Sequence, residues 1–241
     1  MAKNGYNPTK VNYLSLITAL LKSNDIISAI EALQEVGARQ MSWSPEEYQS
    51  IQKSLVNNLT MGKDSKTDKQ AQLDNLYVAL VDQKVKGDQE VPTVVLDAIM
   101  EAAGQLDYPQ RAVSTFNELV DVFQVTLDAE LYNSLLKAMS FSEQTNTDLL
   151  LSIMQNMEEH SNIKPNAVTF SILVEALIER NEKAILSNIV HHVQRQSVML
   201  QGRAARRLLD YLSNTRGFHV EKNFLANLNK TIVVPYSKWE L

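Results

Sequence analysis

The chain has 241 residues, 44% of them hydrophobic, with seven Gly, six Pro and no Cys. That apolar content suffices for a continuous core, and the lack of Cys excludes a disulfide framework, zinc–thiolate sites and cysteine nucleophiles. A net charge of −5 argues against a dedicated basic nucleic-acid footprint, and no apolar run approaches the roughly 18 residues of a membrane span.

The first helix is expected over about residues 9–22. Asn7-Pro8-Thr9 opens it, because Pro and Thr suit a helix start. Tyr13, Leu16, Ile17, Leu20 and Leu21 then follow at a period near 3.6. Lys22-Ser23-Asn24-Asp25 is a polar break, and Ile26, Ile27, Ile30 and Leu33 place a second helix over about 25–37. Trp43-Ser44-Pro45 opens a third over about 45–60, with Glu46 and Glu47 in the first turn, where the macrodipole favours them. Met61 to Lys69 is polar and turn-prone, so an inserted loop is expected at about 61–70, ahead of a helix over about 68–86. Pairs follow at about 92–104 with 109–123, 128–141 with 145–160, and 165–180 with 182–198. One helix over about 200–214 and a shorter one over about 219–231 end the series. Beyond Thr231, a β-branched run and Pro235 break the helical period. Residues 233–241 are expected to cap the last apolar face or to dock on a partner, through Val233, Val234, Tyr236 and Trp239.

The pairs share an anchor, an aromatic or apolar residue with a helical apolar stripe behind it. It recurs at Tyr13, Tyr48, Val95, Tyr132, Phe170 and Ala205, at intervals of 35, 47, 37, 38 and 35 residues. A helix–turn–helix unit cannot bury its apolar face alone, so such a period means stacked units. The expected fold is all-α, about six units over residues 1–232.

Catalytic chemistry finds no constellation in the sequence. Glu158-Glu159-His160 lacks a second ligand at metal-binding spacing, and His191-His192 point about 100° apart on a helix. There is no P-loop, no GxGxxG and no nucleophile elbow. The expectation is no enzyme, no cofactor, no metal and no small-molecule substrate. Charge is uneven: residues 199–241 hold Arg203, Arg206, Arg207, Arg216, Lys222, Lys230 and Lys238 against Asp210, Glu221 and Glu240. Against the total of −5, this surplus of four positive charges leaves −9 for the rest. The basic end suits RNA, an acidic protein surface, or simple solvation.

Met157 to Leu177 runs from a Met through a polar tail to Lys164-Pro165-Asn166 and then Val168-Thr169-Phe170-Ser171. With Pro8 to Leu21 and Glu130 to Met139, this segment resembles the pentatricopeptide repeat family. The Trp/Leu-Gly/Tyr pattern of the tetratricopeptide repeat is absent. About half of the units match well. Met1 to Thr9 parallels Met157 to Asn166, so the chain is expected to be a C-terminal portion of a longer protein.

The resemblance implies a right-handed α-solenoid that reads single-stranded RNA, one base per repeat through two or three side chains. On the family's pattern, one specifying residue follows the anchor and the other closes the repeat. Asn133 with Asn166 is then the clearest base-reading pair, with amides suited to a pyrimidine edge. Ser171 is acceptable, opposite an unusual Gln201. Leu14 with Ser44, Gln49 with Val91 and Leu96 with Asp128 are poor pairs, since a Leu neither donates nor accepts a hydrogen bond. At the position that wedges the base, Val11 and Val168 fit, whereas Glu46, Thr93, Glu130 and Arg203 do not. Candidate cations for the RNA backbone are Lys22, Arg180, Arg203, Arg206 and Arg207.

With so few cations, binding in this segment is expected to be weak and poorly specific. The implied role is organellar gene expression, in mitochondrion or chloroplast, through RNA processing, stability or translation. The alternative is a structural scaffold that binds protein within an organellar ribosome or transcription complex.

Overall fold

Several helix starts in this chain are fixed by short polar side chains that satisfy the first free N–H groups. In the computed structural model, which describes residues 7–87, 90–159, 162–215, 224–226 and 228, Ser44 Oγ accepts from Glu47 N at 3.2 Å. Glu47 Oε2 accepts in return from Ser44 N at 2.7 Å, a reciprocal cap. Asp25 and Asp128 accept from Ser28 N (3.2 Å) and Leu131 N (2.9 Å). Asn166 and Thr169 cap each other in the same reciprocal way.

Helix ends are made differently. Asn24, Gln40, Asp107, Asn181 and Ser197 sit in the left-handed region, with φ of 60°, 55°, 48°, 55° and 54°. After the first helix, Asn24 N donates to Leu21 O (3.2 Å) and Asp25 N to Leu20 O (2.9 Å), the crossed pair of a Schellman ending. None of these positions is Gly, and the left-handed conformation costs an L-residue about 1 kcal/mol. Gln40 is exposed, so Gln40→Gly should stabilise the chain by about 1 kcal/mol in chemical unfolding. A variant no more stable than the parent would show that the strain is offset locally.

Two compact units result, residues Met1–Thr126 and Leu127–Leu241. The first contains α1 (Lys10–Lys22), α2 (Ile26–Ala38), α3 (Pro45–Thr60), α4 (Lys66–Gly87), α5 (Thr93–Gln105) and α6 (Pro109–Asp121). Each odd helix packs on its even partner, and α1, α3 and α5 pack in series. Ile17, Leu33, Leu55, Leu73, Leu80, Leu96, Ile99 and Met100 are fully buried. α5 is buried throughout Val94 to Gly104, including Asp97 and Glu101, which accept from the Tyr48 hydroxyl (3.1 Å) and Gln52 Nε2 (3.3 Å) on α3. Between α4 and α6, Arg111 lies 3.9 Å from the Tyr77 ring centroid, and the Tyr77 hydroxyl donates to Glu118.

The second unit contains α7 (Ala129–Phe141), α8 (Thr147–Glu159), α9 (Ala167–Glu179), α10 (Lys183–Arg195) and α11 (Gly202–Asn214). Here α9 is central and packs on α7, α10 and α11. Residues 224–226 and 228 are helical, with Phe224 and Leu228 buried, inside the last helix expected from the sequence.

Besides this last helical stretch, the described residues form eleven helices and no strand, as expected for an all-α chain. Tyr13, Val95, Tyr132, Phe170 and Ala205 are buried, so the repeating anchor is a core residue. Tyr48 is half-buried, and its hydroxyl donates to the buried Asp97. The expected loop at 61–70 is shorter: α4 begins at Lys66. Ser65 Oγ accepts from Asp68 N (3.1 Å) and Lys69 Nζ donates to Thr60 O (2.7 Å), which turns polar residues 66–69 into a helix start. The expected roles of Met1 to Tyr6, His160 and residues 233–241 lie outside the described residues.

Candidate nucleic-acid interface

Asn133 lies one turn into α7 and is 4% exposed. Asn166 is the residue just before α9. Though 33 positions apart, they meet: Asn133 Nδ2 donates to Asn166 Oδ1 at 3.3 Å. Asn166 Oδ1 also accepts from Val168 N (2.9 Å) and Thr169 N (3.1 Å). Thr169 Oγ1 donates to Asn133 Oδ1 at 2.7 Å and accepts from Asn166 N at 3.0 Å. Asn166 Nδ2 has no hydrogen-bond partner among the described residues, and Val168 beside it is half-buried.

Ser171 and Gln201 are also brought together, through different atoms. Ser171 Oγ donates to Ala167 O (2.6 Å) and accepts from Gln201 N (2.8 Å). Its single proton is therefore engaged inside its own helix, and it is 2% exposed. In the first unit, Val91 is buried and Ser44 is engaged as a helix cap. Leu96 is fully buried. Of the wedge positions, Val11 is 67% exposed on α1. Glu130 is exposed, and partial desolvation followed by the like charge of Asp128 raises its pKa.

The candidate cations fall into three kinds. Lys22 and Arg206 are exposed, with no ion pair among the described residues. Arg203 Nε lies 3.3 Å from Glu175 Oε2, while Arg207 Nη1 lies 3.5 Å from Glu175 Oε2 and 2.7 Å from Glu179 Oε1. These carboxylates on α9 neutralise two of the three α11 arginines, and the Glu179 hydrogen bond raises Arg207 further. Arg180 turns inward: Nη2 donates to Met139 O and Ser142 O at 3.4 Å each. That places a cation at the carbonyl end of α7, where the helix dipole favours it, and burial lowers its pKa.

Three participants, Thr169, Glu175 and Glu179, have no role in the sequence reading, and each has a signal there. Thr169 stands three residues after Asn166, the spacing of a reciprocal cap. Glu175 and Glu179 are four apart on α9, as Arg203 and Arg207 are on α11, so the two charged stripes are matched in pitch.

No group of three or more His, Cys, Asp or Glu side chains among the described residues is arranged to hold a metal ion. No described helix is long and apolar enough to cross a membrane.

Family models described as "Pentatricopeptide repeat-containing protein" and "Pentatricopeptide repeat domain" match residues 1–119 and 116–180. No curated protein matches the sequence. The crystal structure of the pentatricopeptide repeat protein PPR10 from maize aligns at 15% identity and a TM-score of 0.54, over 93% of this chain and 30% of that one. The same protein in complex with an 18-nt psaJ RNA element aligns at 16% identity and a TM-score of 0.56, over 94% and 31%. Nuclear proteinaceous RNase P 2 from A. thaliana aligns at 14% identity and a TM-score of 0.52, over 87% and 43%. The chain thus spans less than half the length of each of these structures, and at such identities the likeness concerns the fold, an α-solenoid of stacked helix pairs. With both family models matching the same kind of repeat, this chain belongs to the pentatricopeptide repeat family.

Proposed function

We propose that the chain is a single-stranded RNA-binding factor of organellar gene expression, in the mitochondrion or chloroplast, with its base contact at Asn133 and Asn166. The carrying observation is the meeting of those two amides at one helix start, with an amide nitrogen left over and Val168 alongside. Such a pair suits a pyrimidine edge. Lys22 and Arg206 supply the free charge for the backbone. Arg203 and Arg207 supply less, because they are already paired, and Ser171 contributes through the backbone it holds. With so little phosphate neutralisation, affinity is modest and falls with salt.

The test is fluorescence anisotropy with oligo(U), oligo(C) and oligo(A) of about 12 nucleotides at salt from about 50 to 200 mM. The parent chain should prefer pyrimidines, and Asn133→Ala with Asn166→Ala should abolish a preference of about tenfold. Binding that is indifferent to base and to the double substitution would refute the base-reading role. Organellar import of a fluorescent fusion of the full-length protein tests the location.

A second reading, a protein-binding scaffold, draws on the first unit. Residues 1–126 hold 11 Lys and Arg against 16 Asp and Glu, and Glu31, Glu35 and Glu90 line an open cavity beside α2 and α4. Purification of the full-length protein with and without RNase separates the two: partners that persist after RNase favour the scaffold.

A further inference from the structure

We propose that Thr169 sets the hydrogen-bonding polarity of the Asn133–Asn166 pair, so that the pair offers N–H donors to a base. This rests on the RNA-reading role proposed above and adds a positioning residue to it.

The argument starts from groups that cannot be reversed. Val168 N and Thr169 N both donate to one amide atom of Asn166, at 2.9 and 3.1 Å. A backbone N–H only donates, so that atom is the carbonyl oxygen and Asn166 Nδ2 is turned away from the helix. The nearest Asn133 atom, 3.3 Å from the same oxygen, must likewise be a nitrogen. Asn133 Oδ1 is then on the other side, 2.7 Å from Thr169 Oγ1. The Thr169 hydroxyl already accepts from Asn166 N, which leaves its single proton for Asn133 Oδ1, closer than Asn166 Oδ1 at 3.3 Å. Each assignment agrees with the others.

Burial makes the arrangement selective. Thr169 is 1% exposed and Asn133 is 4% exposed, so water does not readily replace the hydroxyl, and an unpaired buried carbonyl is costly. Both amide oxygens are drawn into the protein, and what remains for a ligand is N–H. A donor-only pair meets adjacent acceptors well. Cytosine offers O2 and N3 side by side, whereas adenine sets its N6 amino donor next to N1, so one of the two donors meets a donor. Without the Thr169 hydroxyl, Asn133 Oδ1 loses its partner and the amide swings toward water. The pair then offers acceptors too, and the distinction between these bases fades.

The experiment measures binding of oligo(C) and oligo(A) by the full chain and by Thr169→Val, Thr169→Ala and Thr169→Ser. Folding is checked by the spread of backbone amide signals in NMR spectra. The expected result is a cytosine preference in the parent and in Thr169→Ser, reduced at least about fivefold in Thr169→Val and Thr169→Ala. In the parent, the Asn133 side-chain amide should give one sharp pair of signals with one proton protected from exchange. Folded Val and Ala variants that keep the preference would overturn the inference and leave the RNA-reading role standing. So would a Ser variant that loses it as fully as Val, or two interconverting sets of Asn133 amide signals in the parent, a measurement that needs no variant to fold. A parent that binds both oligonucleotides alike would overturn the inference and the base-reading role together.

Discussion

Replacing Phe170 with Ala is expected to lower the stability of the second unit by about 3–5 kcal/mol. Phe170 is 1% exposed, among the largest fully buried side chains, and its ring centroid lies 5.3 Å from that of His192 on α10. It projects from α9, which packs on α7, α10 and α11. A void there removes contacts from the helix the unit is built around. The lost transfer energy adds to the cost of a cavity that three neighbouring helices do not readily fill. Chemical unfolding followed by circular dichroism reads the loss directly. A loss below about 1 kcal/mol would mean that the site collapses around the smaller residue, and that α9 is less constrained than its packing indicates. Base-selective binding should fall with stability, because Asn166 and Thr169 are held at the start of the same helix.

The second large effect is electrostatic and has the opposite sign. Glu175→Gln with Glu179→Gln should raise affinity for single-stranded RNA, by about tenfold at low salt. Glu175 and Glu179 hold Arg203 and Arg207 at 2.7 to 3.5 Å. Glutamine keeps the shape and the hydrogen-bonding oxygen but removes the charge. Two arginines become free to neutralise phosphate, and two like charges no longer oppose it. For single strands each added phosphate contact steepens the salt dependence by about 0.7, so two should steepen the log–log slope by about 1.4. Because Arg203 is 70% exposed in its side chain, its pair with Glu175 stabilises the fold little, and the variant should stay folded. Unchanged affinity with an unchanged slope would place the α11 arginines off the path of the RNA and strengthen the scaffold reading.

Where a side chain acts on its own backbone, the structure was legible in advance. Ser44-Pro45 with Glu47 marks α3 so strongly that the expected 45–60 and the observed Pro45–Thr60 coincide. The start of α4 was misplaced because Lys66 to Lys69 is polar and reads as loop, while Ser65 caps it. The sequence pattern carries α10 to about 198, whereas the helix ends at Arg195. The chain leaves that helix through a left-handed Ser197, not a glycine, and a serine there carries no flag. The family's pattern pairs Asn133 with Asn166, and cap spacing sets Thr169 beside Asn166, but the bond from Thr169 to Asn133, 36 positions away, which fixes the polarity of the pair, has no local signal.

The repeat and the all-helical class follow from the sequence alone, because apolar period and capping residues act within a few positions of themselves, and the family follows from the resemblance of its repeat motifs, which the family models match. Only the tertiary structure decided which polar groups remain available to a ligand. Asn133, Ser171, Arg180, Arg203 and Arg207 are each engaged by a group about 30 or more positions away, namely Asn166, Gln201, Met139 and Ser142, Glu175, and Glu175 with Glu179. A hydrogen bond or ion pair across that separation depends on how two helices pack, and helix packing is what brings such distant residues within bonding range.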